Sequence, residues 1–159
     1  MRILCLDLGV TTGMAVGTEK ELALSGVKKL VKTRTDGHDN RYYDFYIWFQ
    51  GLIGELAEAS DEPILIVTEK TNKHMPGYEG PRIHFALQGI VRVVAGEYES
   101  YCTVEEVSAK TIKKYCTGNG NADKPEMVEW VQALHPEVKD DNEADAIGLY
   151  YYSKEKLHE

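Results

Sequence analysis

The sequence lacks any apolar run that approaches the roughly 20 residues of a membrane-spanning helix. Its start carries one arginine and then a strand-like segment that contains an acid, which is not the pattern of a signal peptide. Internal repeats, low-complexity tracts and long linkers are also missing from the 159 residues. We therefore expect one globular domain that spans residues 1–159 and has no membrane partner.

Cysteine is scarce, since Cys5, Cys102 and Cys116 are the only ones and show no paired metal-binding spacing. An odd number without such spacing indicates reduced thiols, most simply buried side chains, in a cytoplasmic setting. Excess positive charge is also lacking, because the net charge is -8. That balance disfavours tight non-specific binding to nucleic acid. The basic residues are nevertheless clustered along the chain, and a local basic rim can bind phosphate on an acidic protein.

The spacing of apolar residues and turn formers predicts elements in the order β-β-β-α-β-α-β-α-α-α. The expected strands cover residues 2–7, 13–18, 22–31, 64–68 and 101–105, and the expected helices cover 41–60, 82–97, 109–116, 124–134 and 141–156. The first three strands would form an antiparallel meander. Parallel strands beside the first would complete an α/β fold, a mixed five-stranded sheet flanked by helices. That arrangement would bring the ends of strands 2–7 and 64–68 together.

Three acids stand at the ends or on the faces of these expected elements. Asp7 ends the first strand, Glu69 follows the strand 64–68, and Asp145 lies in the last helix. A buried strand has little reason to end on an unpaired acid, because desolvating an isolated charge is costly. Each acid taken singly could cap a turn, pair with a lysine or face solvent. Jointly, they indicate oxygen ligands for hard divalent cations, the core of a site that cleaves phosphodiesters.

The turn from Asp7 to Gly13 allows a second interpretation. An aspartate-x-glycine followed by threonines, after a first strand, is also the phosphate-binding turn of actin-like and sugar-kinase-like ATPases. Those enzymes hold their nucleotide between two domains, whereas this chain has room for one. The chain length therefore favours the metal-site interpretation.

Residues 113–124 carry the sharpest local pattern. Lys113, Lys114 and Lys124 flank a loop that contains Gly118 and Gly120 and leads into a helix N-terminus. Backbone amides and the helix dipole at such a terminus favour a bound phosphate. The simpler alternative is a solvated turn between two helices.

Residues 117–124, together with the block Asn-Glu-Ala-Asp-Ala-Ile at 142–147, resemble the RuvC-type Holliday junction resolvases. Asp7 and Glu69 fall where that family has its first two catalytic acids, and the resemblance spans nearly the whole chain. It implies a ribonuclease-H-like fold, a homodimer, and symmetric nicking of four-way DNA junctions that depends on Mg²⁺ or Mn²⁺. The shorter first turn, which lacks a proline after Asp7, and Asn142 at a position usually held by an acid look more like the divergent, phage-type members.

By position, the resemblance implies that Asp7, Glu69 and Asp145 bind metal, with two ions per site, and that Lys124 acts at the scissile phosphate. The fourth ligand is open between the carbonyl of Asn142 and the carboxylate of Asp141, which precedes Asp145 by four residues on the same helical face. The residues expected to contact DNA are Lys113, Lys114, Gly118, Gly120, Lys73 and Tyr78, the last by stacking on an unpaired base.

The sequence leaves alternatives open for the substrate and for the oligomeric state. The wide apolar arc of helix 82–97 fits either a dimer interface or a position between layers of the core. The expected substrate is branched DNA, but the same fold suits a nuclease of broader specificity for flaps, forks or RNA. Asn142 also fits a junction-binding module whose catalytic site has decayed. The expected setting is the cytoplasm of a bacterium or of a phage-infected host cell.

Overall fold

A computed structural model describes residues 1–31, 40–71 and 79–158, so Lys73 and Tyr78 lie outside the described residues. The strands are β1 (Arg2–Asp7), β2 (Thr11–Thr18), β3 (Leu22–Lys29), β4 (Ile64–Glu69) and β5 (Cys102–Val107). The helices are α1 (Arg41–Ala59), α2 (Glu79–Glu97), α3 (Ala109–Thr117), α4 (Lys124–Gln132) and α5 (Asp141–Lys156). The predicted element order is confirmed. Within the described part of the chain, no helix combines the length and apolar composition needed to cross a membrane.

The helix α2 begins at Glu79, earlier than the start at residue 82 that the sequence predicts. Gly80 and Pro81 are turn formers, and their residue types alone predict a loop. A proline fits the first turn of a helix, because backbone N–H groups there have no partner within the helix. The turn formers therefore mark the beginning of the helix and not the end of the loop.

The strands form one mixed five-stranded sheet with the order β3-β2-β1-β4-β5. The strands β1, β2 and β3 pair antiparallel as the predicted meander, and β4 and β5 continue the sheet in parallel from β1. The β1–β4 ladder runs from Arg2 opposite Ile64 to Leu6 opposite Thr68. Asp7 and Glu69 therefore emerge side by side at one edge, as the sequence predicts.

The two faces of the sheet carry separate cores. Even-numbered residues of β1 and β4, such as Leu4 and Ile66, pack with α1 and α2. Odd-numbered ones, such as Cys5 and Val67, pack with α3, α4 and α5. Successive side chains of a strand point to opposite faces. Because residues 7 and 69 are odd-numbered, their side chains face the layer that contains α5 and Asp145.

Candidate functional site

The predicted acids meet in one cavity at the carboxyl ends of β1 and β4. Its volume is about 250 Å³, and its polar lining consists of Asp7, Glu69, Asp145, Lys113, Lys124 and Asn142. Pairing of the two strands supplies the first two acids, and α5 supplies the third. A larger cavity of about 420 Å³ lies beside β5 and the C-terminal part of α5, but none of the three predicted acids lines it.

The helix α5 reaches the cavity because it lies directly on β2. A Cβ atom added at Gly13 would lie 1.8 Å from the backbone oxygen of Asn142. A Cβ atom at Gly17 would lie 2.7 Å from Cε2 of Tyr150. Gly13 is also the β2 residue opposite Asp7. The absence of a side chain at Gly13 thus lets the first turn of α5 approach the end of β1.

Burial and like charges raise the pKa values of all three acids. Desolvation is the largest cause for Asp7, whose pKa lies well above its usual value, with the charges of Asp145 and Glu69 adding to it. The pKa of Glu69 rises to about 7, from burial first and the charge of Asp145 second. The pKa of Asp145 rises to about 6, again mainly through burial. The charges of Lys113 and Lys124 lower the pKa values of Glu69 and Asp145 in part.

A helix cap by Asp123 and a bond to Asp141 hold Lys124 at the cavity. Asp123 caps α4: its side chain accepts from the Glu126 amide over 3.0 Å, and its own amide donates to the Glu126 carboxylate over 2.8 Å. This capping box fixes Lys124 as the first residue of the helix. The ammonium group of Lys124 then donates to the carboxylate of Asp141, which raises the lysine pKa and lowers that of the aspartate.

Both glycines of the loop between α3 and α4, Gly118 and Gly120, are required by the local structure. Gly118 ends α3 in the left-handed region, with φ of 77°, and its N–H donates to the carbonyl of Lys114 over 3.0 Å. A Cβ at Gly120 would lie 2.9 Å from Cγ of Lys110. Lys114 is exposed and lines a different cavity. Phosphate contacts from Lys114, Gly118 and Gly120 therefore stay a prediction.

A hydrogen-bond network that the sequence does not predict lies behind the acids. His84 and Gln88 of α2 both bond to the backbone carbonyl of Glu69, and Thr71 donates to the side chain of Gln88. Burial lowers the pKa of His84. The sequence gives one signal for this network. His84 and Gln88 are polar residues four positions apart among the apolar positions of a helix, and this spacing places both on one face.

The cavity has the donor types of a site for a hard divalent cation, but its acids do not form a closed ligand cluster. Carboxylate oxygens suit Mg²⁺ and Mn²⁺. Burial first, and neighbouring negative charge second, raise the pKa values of Asp7, Glu69 and Asp145. In residues 1–31, 40–71 and 79–158, no group of three or more His, Cys, Asp or Glu side chains is arranged so that it could hold a metal ion. The residue types that line the cavity nevertheless fit such an ion.

The sheet order, the two helical layers and the acids at the strand ends define an α/β protein of the ribonuclease-H-like type. Scans against protein-family models and against curated protein sequences gave no match. Solved structures do match. Thermus thermophilus RuvC has 17% sequence identity and a TM-score of 0.71, with 98% of this chain and 97% of that chain covered.

Two further structures support the same fold. T. thermophilus RuvC in complex with a Holliday junction substrate has 18% identity and a TM-score of 0.70, with 98% of this chain and 96% of that chain covered. The yeast mitochondrial Holliday junction resolvase Ydc2 has 15% identity and a TM-score of 0.58, with 92% and 75% covered. The chain therefore has the ribonuclease-H-like fold of RuvC, which confirms the predicted fold.

Proposed function

We propose that this chain is a metal-dependent endonuclease that resolves Holliday junctions and other branched DNA by paired phosphodiester cleavage. The observation that carries the proposal is the meeting of Asp7, Glu69 and Asp145, with Lys113 and Lys124, at one cavity. The likeness to RuvC supports the choice of substrate, because one of the similar structures is RuvC in complex with a Holliday junction substrate.

The three acids would bind Mg²⁺, with Mn²⁺ able to replace it, and we propose two ions per site. Such ions, when bound, activate water and stabilise the departing oxygen of a phosphodiester. For the fourth ligand we favour Asn142, which lines the cavity, over Asp141, whose carboxylate is bonded to Lys124. An amide oxygen carries no charge, so the site would hold its ions with three carboxylates.

The lysines of the cavity would bind the scissile phosphate. Lys124 keeps its proton because the bond with Asp141 raises its pKa, so its ammonium group offers N–H donors and positive charge to a phosphate oxygen. Lys113 lies near enough to Glu69 and Asp145 to lower both pKa values. A phosphate that approaches these acids would therefore meet both lysines, which offset its repulsion by the carboxylates.

Contacts with the rest of the junction would come from residues around the cavity. Exposed Lys114 and the loop with Gly118 and Gly120 would bind neighbouring phosphates. Lys73 and Tyr78, outside the described residues, follow Glu69 in the chain, and we propose that they meet the junction centre. Because the net charge is -8, these local contacts would have to supply the attraction to DNA, and binding should weaken steeply with salt.

A homodimer would supply the two sites that paired cleavage needs. The outer face of α2 exposes Phe85 by 56% and Val93 by 61%. On the same helix, a Cβ atom added at Gly89 or Gly96 would meet nothing within 4 Å. Exposed apolar side chains beside glycines allow another helix to pack closely. These features favour a dimer through α2, because packing among residues 1–31, 40–71 and 79–158 accounts only for the inner face of the helix.

The cysteines support a reducing cellular compartment. Cys5, Cys102 and Cys116 are all buried and free. Burial raises the pKa of Cys116 to about 12, which keeps the thiol protonated and unreactive. We propose that the protein works in the cytoplasm of a bacterium or of a phage-infected cell, where thiols stay reduced.

Cleavage of matched four-way, flap and linear DNA, with Mg²⁺ or with EDTA, tests the function. We expect Mg²⁺-dependent paired nicks in the four-way junction, and a loss of at least about 1,000-fold in rate for Asp7→Asn, since the amide removes a metal-binding charge. The matched control is Asp61→Asn, an exposed position outside the cavity, which should cut like the wild type.

Other results of this cleavage assay would each favour a different function. Equal cleavage of all three DNAs would replace the resolvase with a nuclease of broader specificity, for which RNA substrates should then be tried. Binding of the four-way junction without any metal-dependent cleavage would indicate a junction-binding module with a decayed site. Wild-type activity in Asp7→Asn would remove this cavity from the proposal.

A further inference from the structure

Asp7 and Glu69 lie just beyond the ladder that joins β1 and β4. The parallel ladder between these strands ends at the pair Leu6–Thr68. Asp7 and Glu69 come one residue later, where Asp7 pairs with Gly13 of β2 and Glu69 pairs with Val107 of β5. Ligands that must converge on small ions need a rigid backbone at this point.

His84 holds the end of β4 at this point. Its Nε2 lies 3.1 Å from the backbone oxygen of Glu69. One imidazole of α2 thus anchors the backbone that carries the Glu69 carboxylate.

Gln88 strengthens the same contact from the next turn of α2. Its Nε2 donates to the Glu69 backbone oxygen over 3.0 Å. Its Oε1 accepts a hydrogen bond from Thr71 Oγ1 over 3.0 Å, which fixes the orientation of the amide. His84 and Gln88 are only 3% and 9% exposed. Buried polar groups are costly unless bonded, so the bonds to the end of β4 give a physical reason for polar residues here.

We propose that His84 and Gln88 are positioning residues that fix the Glu69 carboxylate relative to Asp7 for metal binding. Neither residue lines the cavity, and both act through the backbone of Glu69. The inference deepens the proposed function and rests on it for the metal ions. Metal affinity should therefore depend on side chains that are not ligands.

Binding of Mn²⁺ to the full chain, measured without DNA from the electron paramagnetic resonance of free Mn²⁺, tests the inference. His84→Leu and Gln88→Leu should each weaken binding about tenfold, the scale of lost hydrogen bonds behind metal ligands. His84→Gln places an amide donor near the position of Nε2 and should restore most of the affinity. The control Gln132→Leu removes a bond of the same kind, 2.8 Å to the carbonyl of Val138, from a residue that does not line the cavity.

Thermal unfolding identifies a temperature at which all compared variants are folded. If His84→Leu does not fold, Gln88→Leu still tests the inference, because it keeps the bond from His84 to Glu69. Wild-type Mn²⁺ affinity in folded Gln88→Leu, or an equal loss in Gln132→Leu, would overturn the inference. A wild-type chain that binds Mn²⁺ but cuts no DNA would refute the proposed endonuclease and not the positioning role. A wild-type chain that binds no Mn²⁺ would overturn both.

Discussion

Glu69 has a carboxyl group whose pKa rises from 4.5 to about 7, because the group is buried and lies near Asp145. The pKa of Asp145 rises from 3.8 to about 6, with burial again the largest cause. Both groups bind a proton more tightly in the folded chain than in the unfolded chain. Unfolding therefore releases protons between these values, and the free energy of unfolding falls as the pH rises through them.

Glu69→Gln should remove its share of this pH dependence, because an amide does not titrate. Relative to the wild type, we expect the unfolding free energy of Glu69→Gln to increase by about 2 kcal/mol between about pH 5 and about pH 8 in EDTA. Urea unfolding at both pH values measures this difference. The exposed Glu58→Gln variant on α1 should follow the wild type, and a parallel pH course for Glu69→Gln would contradict the prediction.

Asp141 and Asn142 are neighbours in sequence with different surroundings. The carboxylate of Asp141 is bonded to Lys124, whereas Asn142 lines the cavity beside the three acids. The side chain of Asn142 donates to Asp140 Oδ1 over 3.1 Å, which leaves its amide oxygen as the remaining acceptor. An oxygen of this kind is a ligand for hard cations. The local environment thus favours Asn142 for the fourth position.

Asn142→Asp should bind Mn²⁺ about tenfold more tightly than the wild type, since a fourth carboxylate adds charge to the ligand set. In EDTA the same variant should unfold at a lower temperature, because the added charge repels Asp7 and Asp145. Isothermal titration and thermal melting measure the two effects. The control is Asn119→Asp in the exposed loop, and equal Mn²⁺ affinity in all three proteins would place Asn142 away from the ions.

At the scale of elements, the position of α5 on β2 decides whether Asp145 reaches Asp7. The close approach depends on Gly13, where an added Cβ would overlap the backbone of Asn142 at 1.8 Å. Backbone atoms cannot rotate away as a side chain can, so a larger residue must displace the whole first turn of α5. Asn142 lies in that turn, and Asp145 follows directly after it.

Gly13→Ala should lower the unfolding free energy by about 3 kcal/mol, the upper range for overpacking a core. It should also slow junction cleavage by about 100-fold, because a shift of roughly 1 Å misplaces the ligands on α5. Urea unfolding and single-turnover cleavage measure these effects. Gly26→Ala on β3 is the matched control, because an added Cβ meets nothing within 4 Å there. Equal stability and activity of the two variants would contradict this account of α5.

The helix α2 joins three features of the molecule. Its inner face packs on the sheet, and on that face His84 and Gln88 hold the carbonyl of Glu69. Its outer face carries Phe85 and Val93 in solvent. If that face binds a second copy, the dimer interface and the metal site share one rigid helix. Metal affinity should then depend on assembly.

At the scale of the whole molecule, the proposed dimer should depend on the outer face of α2. Val93→Glu should convert a dimer at micromolar concentration into a monomer, because a charge would be buried at the interface. Sedimentation equilibrium measures the mass. Leu24→Glu is the control, since Leu24 is similarly exposed, at 54%, but lies on β3 at the other end of the sheet. A wild-type chain that is monomeric at that concentration would refute the proposed dimer.

The element order and the candidate acids could be predicted from the sequence, because they depend on local patterns. Apolar runs define the strands, turn formers separate them, and acids that end a buried run at Asp7 and Glu69 stand out against it. The sequence also predicts a helix over residues 124–134, and the helix in the structure ends at Gln132. Assigned boundaries differ by about one or two residues at either end of a helix, so the prediction and the structure agree.

Only the tertiary structure decided which side chains meet, because those contacts join residues far apart in the chain. Asp7 and Asp145 approach one another through the packing of α5 on Gly13, and Asn142 rather than its neighbour Asp141 faces the cavity. The bridge from His84 to Glu69 depends on how α2 docks on the sheet. The sequence by itself determined which groups were available for metal and phosphate chemistry; helix docking, which no local pattern encodes, determined their spacing and charge.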